Sequence, residues 1–262
     1  DPLDLNALPE AVVKRTRQAF GAGVTPEQSV VRMIDDVRRE GDAAVRRYAK
    51  LLDDSELTEF RISVKDLAEA RSQVSAELVD ALELAAQRIK DFHQATLPRN
   101  WVDLEQGLGE LVRPLERVGL YAPGGTAAYP STVLMTAIPA RVAGVKEVIL
   151  TTPRRGDEPL NPAVMVAAEI AGVDAFYQVG GVPAIAAMAY GSESVPKVDK
   201  IFGPGNAWVT AAKAEVAADP AGAALDMPAG PTELMVIADA TAAPDAVALD
   251  LLSQAEHGVD SQ

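Results

Sequence analysis

Two places in this 262-residue sequence gather side chains able to do chemistry. Near the end of the chain, Gln254 and His257 stand three residues apart, so on a helix they share one face a turn apart. An imidazole nitrogen and an amide oxygen in that relation suit zinc or a similar divalent cation. Zinc takes about four ligands, however, and this pair supplies half of them. The same pattern fits a histidine that pairs with a helix end or simply packs, and spacing leaves both readings open. Glu256 falls on another face and reads as solvated, as does the second histidine, His93, on a charged helix.

The other place is Gly203-Pro204-Gly205-Asn206, a glycine turn directly before a helical stretch. Three more glycine turns, Pro123-Gly124-Gly125, Gly156 and Gly180-Gly181, follow apolar runs in the same way. After parallel strands, such turns lie at the carboxyl edge of the sheet, where helix N-termini offer N–H groups to phosphate. Trp208 occupies the place of the third glycine of a dinucleotide fingerprint, so that motif is absent and the turns could equally serve only to reverse the chain. Gly191-Ser192-Glu193-Ser194 lacks the pattern of a nucleophile elbow. The acid pairs Asp35-Asp36 and Asp53-Asp54 read as solvated.

Composition removes whole classes of function. With 24 basic and 38 acidic residues the net charge is -14, which repels phosphate backbones and anionic lipid and argues against nucleic-acid or membrane partners. Zero cysteines exclude a disulfide framework, a thiolate zinc finger and a cysteine nucleophile. No apolar run approaches the ~18 residues of a membrane span and no signal pattern opens the chain, so a cytoplasmic location is expected.

The elements that must position these groups change character near Val118–Tyr121. Residues 1–120 carry 17 basic and 22 acidic side chains, against 7 and 16 afterwards. The first part reads as amphipathic helices, opened by Leu8-Pro9-Glu10, by Thr25-Pro26-Glu27-Gln28, by Ser63 with Asp66, and by Ser75. Val30, Val31, Ile34 and Val37 should face inward on one of them, and Leu78, Leu82, Ala85 and Ile89 on another. The second part alternates strands at Arg117–Tyr121, Glu147–Thr151, Ala175–Val179, Val198–Phe202 and Glu233–Ile237 with helices at Ser131–Ala143, Pro162–Ala171, Pro183–Tyr190 and Asn206–Ala218. That alternation predicts an α/β fold with a parallel sheet, Val148–Leu150 and Met235–Ile237 being buried on both faces. A last helix from Pro244 to His257 should bury Val247, Leu251, Leu252 and Ala255.

Several segments together resemble the histidinol dehydrogenase family. They are Val118–Gly125, Ser131–Met135, Gly191–Asn206 (GSESVPKVDKIFGPGN), Asp226–Pro231 and Leu251–His257 (LLSQAEH). The resemblance runs through essentially the whole chain and is weakest before Arg113. It implies incomplete Rossmann-like parallel-sheet domains preceded by a helical N-terminal region. Residues 1–22 would form an arm, 23–118 with 232–262 a first domain, and 119–231 a second, NAD-binding one. The implied activity is oxidation of L-histidinol through the aldehyde to L-histidine with two NAD+, in a zinc-dependent, domain-swapped homodimer. Carried over by position, Tyr121 and Asn206 would contact NAD, while Gln254 and His257 would ligate zinc and, through it, the substrate. Thr232 stands where the family commonly has a substrate-touching serine, and keeps the hydroxyl.

Two departures qualify what the resemblance implies. Gly180-Gly181 is followed by Val182-Pro183, and Pro183 replaces a glutamine that contacts NAD in the family. The family's acid–base Glu-His pair and its other two zinc ligands lie beyond Gln262, so no catalytic residue is assigned within the chain. The expectation is a fragment of a longer polypeptide, with which Asp1 in place of an initiator methionine agrees, and which is inactive alone. Two alternatives remain: a dehydrogenase of the same fold acting on another small polar alcohol, or a non-catalytic nucleotide-binding remnant.

Overall fold

The computed structural model describes residues 10–21, 23–124, 128–156, 158–227 and 233–255. Two compact units share the chain, residues 1–228 and 229–262. The first begins with helices α1 (Glu10–Phe20), α2 (Pro26–Glu40), α3 (Asp42–Asp53), α4 (Val64–Ser72) and α5 (Ala76–Ala95). Their starts lie where the sequence puts them. Thr25 and Gln28 form a reciprocal capping box, as do Ser63 and Asp66, and Ser75 accepts the N–H of Leu78. Gly41 ends α2 at φ +56 and lets the chain turn directly into α3.

A short antiparallel hairpin, β1 (Trp101–Asp103) and β2 (Leu108–Glu110), follows; the sequence pattern gave no sign of it. The alternating part then runs β3 (Arg117–Tyr121), α6 (Pro130–Val142), β4 (Glu147–Thr151), α7 (Pro162–Ile170), β5 (Ala175–Tyr177), α8 (Gly181–Tyr190), β6 (Lys200–Phe202), α9 (Ala207–Ala218) and β7 (Ala224–Leu225). The five strands β3–β7 form one sheet in the order β5-β4-β3-β6-β7, every pairing parallel. The chain winds outward from β3 in both directions, and the reversal point lies between β3 and β6. Beyond β5, Arg61 bridges to Tyr177 and blunts one edge of the sheet.

Strand side chains alternate between two apolar layers, as the two-residue period requires. Tyr121, Ile149, Tyr177 and Ile201 face a layer built with α2, α3, α8 and α9. Val118, Leu120, Val148, Leu150 and Phe176 face the opposite layer with α4–α7. Gly119 leaves room for Met188, whose sulfur would lie 2.5 Å from any Cβ placed there. The helical N-terminal region thus covers both faces of the sheet instead of standing apart from it.

Several expectations fail. Val31 and Leu78 are exposed, because α2 and α5 present narrower buried stripes than their apolar content suggests. Asp36 is buried, accepting hydrogen bonds from Tyr48 at 2.5 Å, Arg39 at 2.6 Å and Arg47 at 3.1 Å. Spacing alone identifies an acid pair but does not reveal that Tyr48 and Arg47 from the next helix converge, with Arg39, on one member. Residues 233–237 form no strand, and Met235 and Ile237 are 84% and 92% exposed. A strand exists only with a partner ladder, and none pairs with this run among the described residues. On α10 (Pro244–Ala255) no residue is buried, so Leu251, Leu252 and Ala255 are exposed rather than covered. Its apolar stripe has the right period, but within residues 229–262 the described chain contains no second element to pack on it.

Candidate functional site

The carboxyl ends of the parallel strands share one edge, and each of β3–β6 hands over to a loop and a helix there. Three of these loops interlock through Pro153. A Cβ on Gly180 would lie 2.2 Å from the Pro153 Cβ, and one on Gly124 would lie 2.8 Å from its Cγ. These two glycines are therefore required by packing. Gly181 at φ +61 and Gly203 at φ +113 are required by backbone conformation as well.

Tyr121 ends β3 and is buried, with its hydroxyl accepting the N–H of Gly181 at 3.1 Å. Burial pushes its phenol up to about 12, and the hydrogen bond from Gly181 works in the opposite direction. The tyrosine thereby occupies the first donor of α8. Pro183 has no N–H to offer, which leaves Val182 as the remaining donor in that first turn. The α8 N-terminus is consequently a poor anion site.

The α9 N-terminus differs. Asn206 caps it, its Oδ1 accepting the Val209 N–H at 3.1 Å. The helix itself cannot satisfy the N–H groups of Ala207 and Trp208. With its oxygen committed to the cap, Asn206 has its amide NH2 to offer a ligand. Both helix starts open on a cleft of about 320 Å³ lined by Gly180–Pro183, Asn206, Trp208, Asp53 and Arg155, with Phe20, Met33 and Tyr48 in its apolar wall. A second cleft of about 350 Å³ lies beside Gly124, Thr152 and Asn161, and Arg155 borders both.

The structure thus brings Asn206 and the Gly181 turn to one cleft beside the reversal point of the sheet, where ligands bind in open α/β folds, while Tyr121 is buried behind that turn and does not line it. Pro183 lines the same cleft. Gln254 lies on α10 in residues 229–262, half-buried. Thr232 and His257 lie outside the described residues. Among the described residues, no group of three or more His, Cys, Asp or Glu could hold a metal ion.

The Gly191–Ser194 segment serves the fold. Ser192 Oγ donates to Asp42 at 2.6 Å, Ser194 donates to the same carboxylate, and Glu193 accepts the Asp42 N–H at 2.7 Å. Sequence reasoning missed Lys213 and Asp226, which meet beneath the Gly203 turn. The available signal was Lys213 beside Val209, Ala212 and Val216, a charge on the buried stripe of its helix.

Comparison with known proteins gives a consistent relationship. The family described as "Histidinol dehydrogenase" matches residues 17–262. A histidinol dehydrogenase of Xanthomonas euvesicatoria pv. vesicatoria is 50% identical over 250 residues, 94% of this chain and 58% of its own length. One from Lactiplantibacillus plantarum is 49% identical over 257 residues, covering 97% of this chain and 59% of that protein. The crystal structure of histidinol dehydrogenase from Elizabethkingia anophelis superposes with a TM-score of 0.86 at 42% identity, over 97% of this chain and 59% of that one. The chain therefore spans less than two thirds of the length of these relatives.

Proposed function

This chain belongs to the histidinol dehydrogenase family, and from that premise we propose that it is part of an enzyme that oxidises L-histidinol through the aldehyde to L-histidine with two NAD+. The observation that carries the nucleotide part is the cleft beside the sheet's reversal point, onto which Asn206 and the start of α9 open. Its volume suits part of a dinucleotide, at the lower end of the roughly 300–1,000 Å³ usual for ligand pockets.

NAD+ bound there supplies the hydride acceptor; the chain's part is recognition. The N–H groups of Ala207 and Trp208, which the helix cannot satisfy, together with the positive end of α9, favour a phosphate oxygen. The Asn206 NH2 donates to a ribose or amide oxygen, and Arg155 adds positive charge at the rim. Tyr121 contributes by holding the first turn of α8 against β3. Since Pro183 removes both a backbone donor and the family's side-chain amide, phosphate recognition falls to α9 and not to α8.

Zinc enters the proposal through Gln254 and His257. Two donors fill half of a tetrahedral shell, so we derive no chemical step through the metal and assign no general base within the chain. In the same proposal, residues 23–118 with 232–262 contribute to a first domain, residues 119–231 bind the nucleotide, Thr232 touches the substrate, and the complete protein is a cytoplasmic homodimer. No helix among the described residues is long and apolar enough to cross a membrane.

The test is NADH formation by the complete polypeptide with L-histidinol, with and without added zinc. Two NADH per histidinol consumed, lost on chelation, is the expected result. Reduction of NAD+ by another small alcohol but not by histidinol would favour the alternative substrate. Nucleotide binding without turnover of any alcohol would favour the non-catalytic remnant. Residues 1–262 alone should produce no NADH, and His257→Ala in the complete polypeptide should lose zinc and turnover together.

A further inference from the structure

The recognition scheme above leaves one buried cation unused. Lys213 is 3% exposed, two turns into α9, on the stripe formed by Val209, Ala212 and Val216. Its Nζ donates to the Gly203 carbonyl at 2.9 Å and pairs with the Asp226 carboxylate. Asp226 in turn accepts the N–H of Gly203 at 2.9 Å and that of Met227 at 2.7 Å. Burial works to raise the Asp226 pKa, but the Lys213 contact and these two N–H groups hold the carboxyl below its ordinary value.

Burying a lysine costs free energy that the ion pair recovers only with good geometry, and an apolar residue would fill the same stripe without that cost. What leucine or methionine could not do is hold a peptide group. Here both the N–H and the C=O of Gly203 are held, one by each partner of the pair. The residue needs holding, for it adopts φ +113 and lies so close to β3 that a Cβ would fall 2.2 Å from the Tyr121 carbonyl oxygen. Three residues later comes Asn206, and then the α9 N–H groups that the helix itself cannot satisfy.

We propose that Lys213 and Asp226 are positioning residues for the nucleotide, acting through Gly203 to fix the turn that presents Asn206 and the α9 N-terminus. They touch no ligand themselves. The inference rests on the nucleotide reading of this cleft.

The test compares K213M, D226N and the double variant K213M/D226N with the parent, all as complete polypeptides. NAD+ affinity is measured by calorimetry, histidinol recognition by its KM, and the turn by amide exchange over residues 203–209. The Kd for NAD+ should rise at least tenfold in K213M and in the double variant, in which no lone buried charge remains. The KM for histidinol should stay within twofold, and exchange should accelerate over 203–209 alone. Unchanged NAD+ affinity in K213M and in the double variant would overturn the inference. So would an equal loss of NAD+ and histidinol recognition with exchange raised throughout, since the pair would then hold only the fold. A parent that binds no NAD+ removes the nucleotide reading and this inference together, and that result is read on the parent before any variant.

Discussion

The Tyr121 hydroxyl, at the end of the central strand, accepts the N–H of Gly181, the first residue of α8, at 3.1 Å. One contact ties β3 to a helix that begins sixty residues later. Tyr121→Phe should leave that buried donor unsatisfied and lower stability by about 1–3 kcal/mol, read from urea unfolding. A loss below the error of the measurement would mean that water replaces the phenol.

Alkaline pH should weaken the fold through the same residue. Burial pushes both Tyr121 and Tyr48 up to about 12, with Asp36 adding to the rise at Tyr48. An unfolded tyrosine titrates near 10, so between about 10 and 12 the unfolded chain has already lost protons that the native one retains. Stability is therefore intact below pH ~10 and declines through that window, by up to about 1.4 kcal/mol per pH unit for each tyrosine. Urea midpoints from pH 9 to 12 test this, and Y121F should flatten part of the slope.

Asn206 combines two tasks that a pair of substitutions separates. Asn206→Asp keeps an excellent cap, so stability should hold, while loss of the NH2 and a new negative charge should weaken NAD+ binding at least fivefold. Asn206→Ala should also cost about 1 kcal/mol of stability. Thermal unfolding and NAD+ titration of both variants distinguish the tasks; equal NAD+ affinity for N206D and the parent would remove Asn206 from the recognition scheme.

Gly203→Ala should be among the most damaging single changes. It places a methyl 2.2 Å from the Tyr121 carbonyl oxygen at a φ that disfavours any side chain. A loss of about 2–4 kcal/mol is expected from chemical denaturation. At Gly156, where a Cβ would meet nothing within 4 Å, alanine should cost far less, through its φ of +52 alone.

Local rules were legible where the cause is local. Thr25, Ser63 and Ser75 cap the helices they precede because the motif that caps and the motif that is read are the same few residues. The four strands β3–β6 are buried, and their apolar runs show it. Glu233–Ile237 has the same composition and fails, since the pairing that makes a strand belongs to two segments. Asp36, Asp42 and Lys213 were illegible for a related reason: each depends on partners 10 to 152 residues away in the chain, even where, as with Arg39 beside Asp36, a near neighbour also contributes. At the candidate site, Asn206 and the glycine turns could be read from type and position. That Tyr121 closes the start of α8 while α9 stays open could not, because it depends on where a strand end meets a distant helix.

Pro153, wedged between Gly124 and Gly180, has a consequence for how this protein can change over generations. The loops after β3, β4 and β5 touch at three residues that have no space to give, so Gly124, Pro153 and Gly180 cannot change one at a time. Variation at this edge should come in concerted sets, with substitutions at 124, 153 and 180 tolerated together or not at all. The Gly156 position, free of such contacts, can drift independently.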